Sequence, residues 1–311
     1  MTSFIIDCDP GHDDAVAIVV AAHHLNVIGL TTVFGNSSIE NTTRNALDIL
    51  DGAGFEHIPV AAGASGPLIG QTKTGEAIHG KSGLDGATLP TSTRQAIEQD
   101  AADFIIQASH EHDDLVIIAV APETNLAIAM ERDPTLASRL TEISIMGGST
   151  SHGNATAAAE YNIYADPEAA VRVFESGVPI RMVGLNVTST FGITQTELDK
   201  LHAGTGIGRE LAGALQFYLD RQTSTYERSH APMHDTCALI PYINPEWIEY
   251  QPLHVVVECM GTHTRGMTLC DLRGSVVGGG IANSENSNAQ VAISANTTAI
   301  IEQVVSDLLQ D

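Results

Sequence analysis

Four aspartates crowd the first fourteen residues: Asp7, Asp9, Asp13 and Asp14, in the run Asp-Cys-Asp-Pro-Gly-His-Asp-Asp. Ionised carboxylates repel one another, by roughly 4 kcal/mol for a pair about 4 Å apart at an effective dielectric of 20. Capping accounts for one such residue, because the free N–H groups and positive dipole end of a helix favour a carboxylate in the first turn. Four ask for more. A hard divalent cation removes the repulsion, and an all-oxygen donor set points to Ca2+ or Mg2+ rather than zinc. Asp7 and Asp9, two apart on a predicted strand, would share one face. Pro10 biases Asp9 toward extended backbone, and Gly11 allows a sharp turn with close backbone approach. Asp13 and Asp14 then open the following helix.

Two other motifs begin in a similar way. An EF-hand loop starting at Asp7 needs glycine at its sixth position and glutamate at its twelfth, where this chain has His12 and Ile18. That reading fails. A Mg2+-dependent phosphohydrolase of the haloacid dehalogenase type also starts with Asp-x-Asp at a strand end, with Asp7 as nucleophile. Pro10-Gly11 in place of that motif's continuation weakens this second reading but leaves it standing.

Further polar groups recur downstream. Asn36 closes Thr-Thr-Val-Phe-Gly-Asn after a predicted strand, and His79 lies in Ala-Ile-His-Gly-Lys-Ser-Gly-Leu-Asp-Gly. An apolar run ending at Val120 leads into Ala-Pro-Glu-Thr-Asn (121–125). Met-Gly-Gly, Gly-Asn-Ala-Thr and Glu-Tyr-Asn then bring Asn154, Glu160, Asn162 and Asp166, and Met-His-Asp-Thr-Cys-Ala brings His234 and Asp235. Each has a plain explanation alone. Asparagine makes Asx turns, Asp166 before Pro167 reads as an N-cap with proline at N1, and a His-Asp pair is commonly a cap.

The elements that would position these groups alternate. Strands are predicted over residues 4–9, 27–32, 59–62, 115–120, 142–146 and 180–183, with helices over 13–24, 41–52, 94–110, from 124, and 166–175. The continuous apolar run Leu-Val-Ile-Ile-Ala-Val suits a parallel strand buried on both faces. Beyond residue 190 the rhythm loosens: helices over 194–202, 206–226 and 235–240, strands over 249–258 and 266–271, and a last helix ending near 309. The expectation is an α/β chain with an open, mostly parallel twisted sheet flanked by helices, as one domain over 1–311. Loops at 63–90, 147–155 and 278–288 would gather at the carboxyl ends of the strands, where ligands bind.

Composition narrows the partners. The formal charge of −24, from 38 acidic and 14 basic residues with no basic stripe, disfavours nucleic acid. No run reaches the roughly 18 apolar residues of a membrane span. No signal-peptide pattern opens the chain, so a cytoplasmic protein is expected. Cys8, Cys237, Cys259 and Cys270 lack metal-site or disulfide spacing and read as reduced core residues.

Taken together and in this order, Asp-x-Asp-x-Gly-x-Asp-Asp, Met-Gly-Gly, Gly-Asn-Ala-Thr, Glu-x-Asn and His-Asp resemble the nucleoside hydrolase family, the inosine-uridine-preferring N-ribohydrolases, over nearly the whole chain. The resemblance implies an open α/β sheet and Ca2+ at the bottom of the active site. Asp9, Asp14 and Asp235 would bind it with the main-chain carbonyl of Val120. Asp9 would also act as the base that takes a proton from a calcium-bound water, with Asp7 supporting the cluster. Asp13, Asn36, Asn154, Glu160 and Asn162 would face the ribose, His79 would stand at the pocket edge, and His234 would be the candidate acid for the leaving base.

The implied reaction is hydrolysis of a ribonucleoside to nucleobase and ribose, in a homodimer or homotetramer. Specificity is expected to be broad or inclined to pyrimidines (uridine and cytidine, with inosine), since His12 with Gly-Leu-Asp-Gly resembles pyrimidine-accepting members. The single tryptophan, Trp247, reads as structural, which disfavours a base sandwiched between tryptophans. Where relatives carry Gly-Pro-Leu-Thr-Asn or Gly-Gly-Leu-Thr-Asn, this chain has Ala121-Pro122-Glu123-Thr124-Asn125. The chemistry agrees with the residue types: acids stabilise a positively charged, oxocarbenium-like ribose, and a bound cation lowers the pKa of water for an aspartate base. A ribose or nucleoside binder without catalysis is the remaining alternative, disfavoured because base and metal positions are all present.

Overall fold

The structure, a computed structural model, describes residues 1–273 and 287–310. The strands are β1 (Ser3–Cys8), β2 (Val27–Thr32), β3 (Val60–Ala62), β4 (Leu115–Ala119), β5 (Leu140–Met146), β6 (Ile180–Val183), β7 (Gly192–Ile193), β8 (Ala231–Pro232), β9 (Ile248–Leu253), β10 (Val255–Val257), β11 (Thr268–Cys270) and β12 (Ala289–Ala295). Eight of them form one sheet in the order β3-β2-β1-β4-β5-β6-β12-β9. Every pairing in it is parallel except the edge strand β9, which runs antiparallel to β12. This is the open, mostly parallel architecture that strand-helix alternation predicts.

Helices cover both faces, as the alternation of β1 requires. Phe4, Ile6 and Cys8 belong to one buried cluster, shared with α1 (His12–His24), α2 (Ile39–Gly52), the long α10 (Gly206–Tyr226) and the terminal helix α12 (Thr297–Leu308). Ile5 points the other way, into a cluster with α4 (Ala101–Glu111), α5 (Thr124–Arg132) and α7 (Pro167–Phe174). The chain also contains α3 (Glu76–His79), α6 (Tyr161–Ala165), α8 (Leu185–Thr188), α9 (Gln195–Ala203) and α11 (Ile240–Ile243). Among the described residues no helix is long and apolar enough to cross a membrane.

Strand order sets the place of the site. From β1 the chain steps outward through β2 to β3, then returns to lay β4 on the opposite side of β1. The loops leaving β1 and β4 therefore diverge, opening a crevice beyond their carboxyl ends. Asp9 follows β1 directly and Val120 follows β4 directly, and Val120 N donates to the Asp7 carbonyl at 2.8 Å.

Several boundaries differ from expectation. The helix predicted from residue 94 starts at Ala101, because Asp100 caps it by accepting from Asp103 N at 2.9 Å. The preceding stretch is pinned instead, with Arg94 donating to Asp51 and to the Ile58 carbonyl. The 63–90 loop contains the short helix α3. The helix expected over 235–240 is a 3-10 turn, Asp235–Ala238, followed by α11. The strand expected over 249–258 is two strands, β9 and β10. Strand β12 was not expected, and most of the predicted 278–288 loop lies outside the described residues. Cys8 and Cys237 are buried, Cys259 and Cys270 half-buried, and all four are free thiols. Trp247 packs half-buried against the core.

Candidate active site

The turn after β1 is held by its own carboxylates. Asp14 Oδ2 accepts from Gly11 N at 3.0 Å and Asn36 Nδ2 at 2.9 Å, while Oδ1 accepts from Asp9 N at 3.2 Å. Capping is thus one task of Asp14. Asp9 lies just beyond the strand, and its Oδ2 accepts from Asn36 N at 2.6 Å. Asp9 Oδ1 is buried and has no protein partner. Asp7 is directed elsewhere: its Oδ1 accepts from Thr31 Oγ1 at 2.6 Å and Asn125 Nδ2 at 2.8 Å. Glycine is needed twice for close approach. A Cβ on Gly11 would fall 2.6 Å from His79 Nδ1 and 2.7 Å from Asn36 Nδ2, and one on Gly35 would fall 1.9 Å from Asp9 Oδ2.

Asp235, from the far end of the chain, joins this turn. Asp13, Asp14 and Asp235 each offer a carboxylate oxygen within 4.8 Å of the others, and all three are buried. Asp235 is within hydrogen-bonding reach of both Asp13 and Asp14, and Asp14 of Asp9. Burial raises the pKa of every member, and the neighbouring negative charges add to it: Asp13 rises to about 8, and Asp9 and Asp235 are pushed well above the usual carboxylate range. Such a cluster either holds protons or holds a cation. Buried oxygen donors, one of them (Asp9 Oδ1) without a partner, fit a hard divalent ion. Asp13, expected at the sugar, lines the pocket and also belongs to this acidic group.

Asp13 and Asp235 form the acidic floor of a pocket of about 280 Å³ whose lining also includes Asn36, His79, Val120, Asn154, Glu160, Asn162 and His234, with Asp9 and Asp14 behind them. Glu160 caps α6: one oxygen accepts from Asn162 N at 2.9 Å, the other from Gly148 N at 3.0 Å and Ile163 N at 3.2 Å. Asn162 Nδ2 donates to the carbonyls of Val120 at 3.1 Å and Met146 at 3.0 Å, so its Oδ1 is left to accept. Asn154 Oδ1 is buried without a partner. Asp166 stands apart as the N-cap of α7 and also anchors Leu68 N and Thr124 Oγ1.

Three histidines surround the floor. His12 Nε2 lies 3.1 Å from the Asp85 carbonyl, which can only accept, so the His12 proton sits on Nε2. His79 Nδ1 accepts from the His12 backbone N–H at 3.3 Å and lies 3.0 Å from His12 Nδ1. Burial keeps both rings neutral, with His12 lowered to about 4 and His79 well below the usual histidine value. His234 Nδ1 meets Thr188 Oγ1 at 2.7 Å. Burial, then the positive charges of Arg228 and His230, hold His234 at about 3.

The outer wall was missed in the sequence. Tyr218, Gln222 and Tyr226 line the pocket from α10, with Arg228 just past its end and Tyr161 from α6. Their spacing, i, i+4 and i+8, is a polar-aromatic stripe on one helix face, and that periodicity was the available signal.

The chain matches the family model of the inosine-uridine preferring nucleoside hydrolases over residues 4–302. It is 38% identical over 271 residues to the pyrimidine-specific ribonucleoside hydrolase RihB of Shigella sonnei, covering 86% of each chain. Among solved structures it resembles the plant nucleoside hydrolase PpNRh1, with a TM-score of 0.91 at 34% identity over 100% of this chain and 99% of that one. A purine-preferring ribonucleoside hydrolase from Gardnerella vaginalis superposes with a TM-score of 0.90 at 30% identity, over 99% and 98% of the two chains. With sequence, fold and acidic pocket in agreement, the chain belongs to the inosine-uridine preferring nucleoside hydrolase family.

Proposed function

We propose that this ribonucleoside hydrolase is Ca2+-dependent, that Asp9 is its general base, and that its specificity is broad with an inclination to pyrimidines. The observation that carries the reading is Asp9: one oxygen is fixed by Asn36 N–H, the other is buried and unbonded beside the Asp13–Asp14–Asp235 cluster. The ion would be held by Asp9, Asp14, Asp235 and the Val120 carbonyl, with Asp13 against Asp235 beside it. When bound, the cation would offset the carboxylate repulsion, keep the acids ionised and lower the pKa of the attacking water.

The remaining chemistry falls to the chain. Asp9 Oδ1 takes the proton of the attacking water as its oxygen bonds to C1′ and the C1′–N bond breaks. The acids of the floor stabilise the positive charge that builds on the ribose. Asn162 and Asn154 offer acceptor oxygens, and with Asp13, Asn36 and Glu160 they hold the sugar hydroxyls, binding energy remote from the reacting bond. His79 borders the sugar, and His234 is the candidate proton donor to the base. Asp7 supports the cluster from beneath β1. Its role as a phosphoryl acceptor is disfavoured, because it is buried with Oδ1 taken by Thr31 and Asn125.

The RihB relative is named for pyrimidines, and the inclination rests on that likeness. The same reading takes the chain as one catalytic domain, assembled as a cytoplasmic homodimer or homotetramer. Its test is release of reducing sugar from uridine, cytidine and inosine. We expect turnover with Ca2+, loss on chelation, and a fall of about 10³-fold or more in Asp9→Asn, since base catalysis and cation binding are both touched. Full activity of the chelated enzyme, or of the variant, would refute it.

A further inference from the structure

Cleavage of the C1′–N bond leaves the electron pair on the base. In a pyrimidine that charge spreads onto ring carbonyl oxygens, and something must meet it. Arg228 is the one lysine or arginine among the described lining residues. It is placed rather than free: Nη1 donates to Gln222 Oε1 at 3.1 Å, its backbone N–H to the Gln222 carbonyl at 3.3 Å, and its own carbonyl accepts from Thr223 Oγ1 at 2.9 Å. Its guanidinium lies 5.2 Å from the Tyr226 ring centroid. No carboxylate pairs with it among the described residues, although the chain carries 38 acids. Nε and Nη2 have no protein acceptor among the described residues, so two edges of the fork remain open at the pocket.

We propose that Arg228 binds the departing base, donating from Nε or Nη2 to a ring carbonyl oxygen and stabilising the negative charge as the C1′–N bond breaks. Gln222 and Tyr226 set the guanidinium in place. The base leaves as an anion on the arginine and takes its proton afterwards from solvent by way of His234, while the proton of the attacking water goes to Asp9. A site that donates to carbonyl oxygens next to the scissile nitrogen favours pyrimidines such as uridine. This inference rests on the ribonucleoside-hydrolase reading above and assigns the leaving-group contact within it.

The experiment compares uridine with p-nitrophenyl β-D-ribofuranoside, whose leaving group is a stable anion needing little help. In Arg228→Gln we expect kcat for uridine to fall about 10²-fold, as for removal of one donor at a developing oxyanion, with a far smaller loss on the nitrophenyl riboside. Arg228→Lys, which keeps the charge but loses the fork, should recover part of the uridine rate. Retained nitrophenyl turnover also shows that the variant is folded. Equal losses on both substrates, or no loss on uridine, would overturn the assignment to Arg228 while leaving the hydrolase reading intact. A wild-type enzyme inactive on both ribosides would overturn the reading and the assignment together.

Discussion

Burying a carboxyl without a hydrogen-bond partner is costly, and Glu123 is fully buried with neither oxygen bonded to protein. Burial pushes its pKa well above the usual glutamate value, with Glu160, Asp166 and Asp7 adding repulsion. Below about pH 4.5 the folded and unfolded chains both hold this proton, and the group has no effect on the pH dependence of stability. As the pH rises above the unfolded value, only the unfolded chain releases it, so stability falls by up to about 1.4 kcal/mol per pH unit. Glu123→Gln keeps the shape and removes the titration. The variant should flatten the decline of the melting temperature between pH 5 and pH 8; parallel wild-type and variant curves would show that Glu123 does not titrate in this way. Asp7 is the contrasting case. Burial raises it to about 6, but hydrogen bonds from Thr31 and Asn125 work against the shift, which is why its carboxyl can be kept beneath the site.

The β1–α1 connection is the element on which the site depends, and it was largely legible in the sequence. Pro10-Gly11 between aspartates announced a turn, and the geometry shows what glycine supplies: room for His79 and Asn36 within 3 Å of where a Cβ would stand. Gly11→Ala should therefore shift the turn, lower stability by about 1–3 kcal/mol through overpacking, and reduce turnover well beyond what that loss explains. Circular dichroism melts beside kinetics separate the two effects; an active variant with unchanged melting would mean the turn yields freely. Elsewhere legibility followed side-chain size. Leu115–Ala119 was plain because it is a continuous apolar run, whereas Ala289–Ala295, with three alanines, offers little periodic contrast although Val291 is completely buried beside β6. Tyr218, Gln222 and Tyr226 were overlooked because an aromatic and polar stripe on α10 reads equally well as ordinary helix surface.

Across the whole molecule the proposed cation site would tie folding to ion binding. Asp9, Asp13, Asp14 and Asp235 come from two segments more than two hundred residues apart in sequence, and their mutual repulsion acts against the closed pocket. Without a cation the folded chain keeps protons on these groups, with Asp13 titrating at about 8 and burial the main cause. Folded values above the unfolded ones mean that stability is greatest below about pH 4 and declines as the pH rises toward 8. A bound divalent ion reverses the balance, because the ionised carboxylates then have a partner that the unfolded chain does not offer. The ion stabilises by RT ln(1 + [L]/Kd), about 2.7 kcal/mol at a hundredfold excess over Kd. Apparent affinity should fall in acid as protons compete with the ion. The gap in melting temperature between Ca2+-loaded and chelated protein should accordingly widen from pH 5 to pH 8. Paired melts at a fixed free Ca2+ concentration measure it. A gap that stays constant or narrows over that range would mean that Asp9, Asp14 and Asp235 are not the ligands.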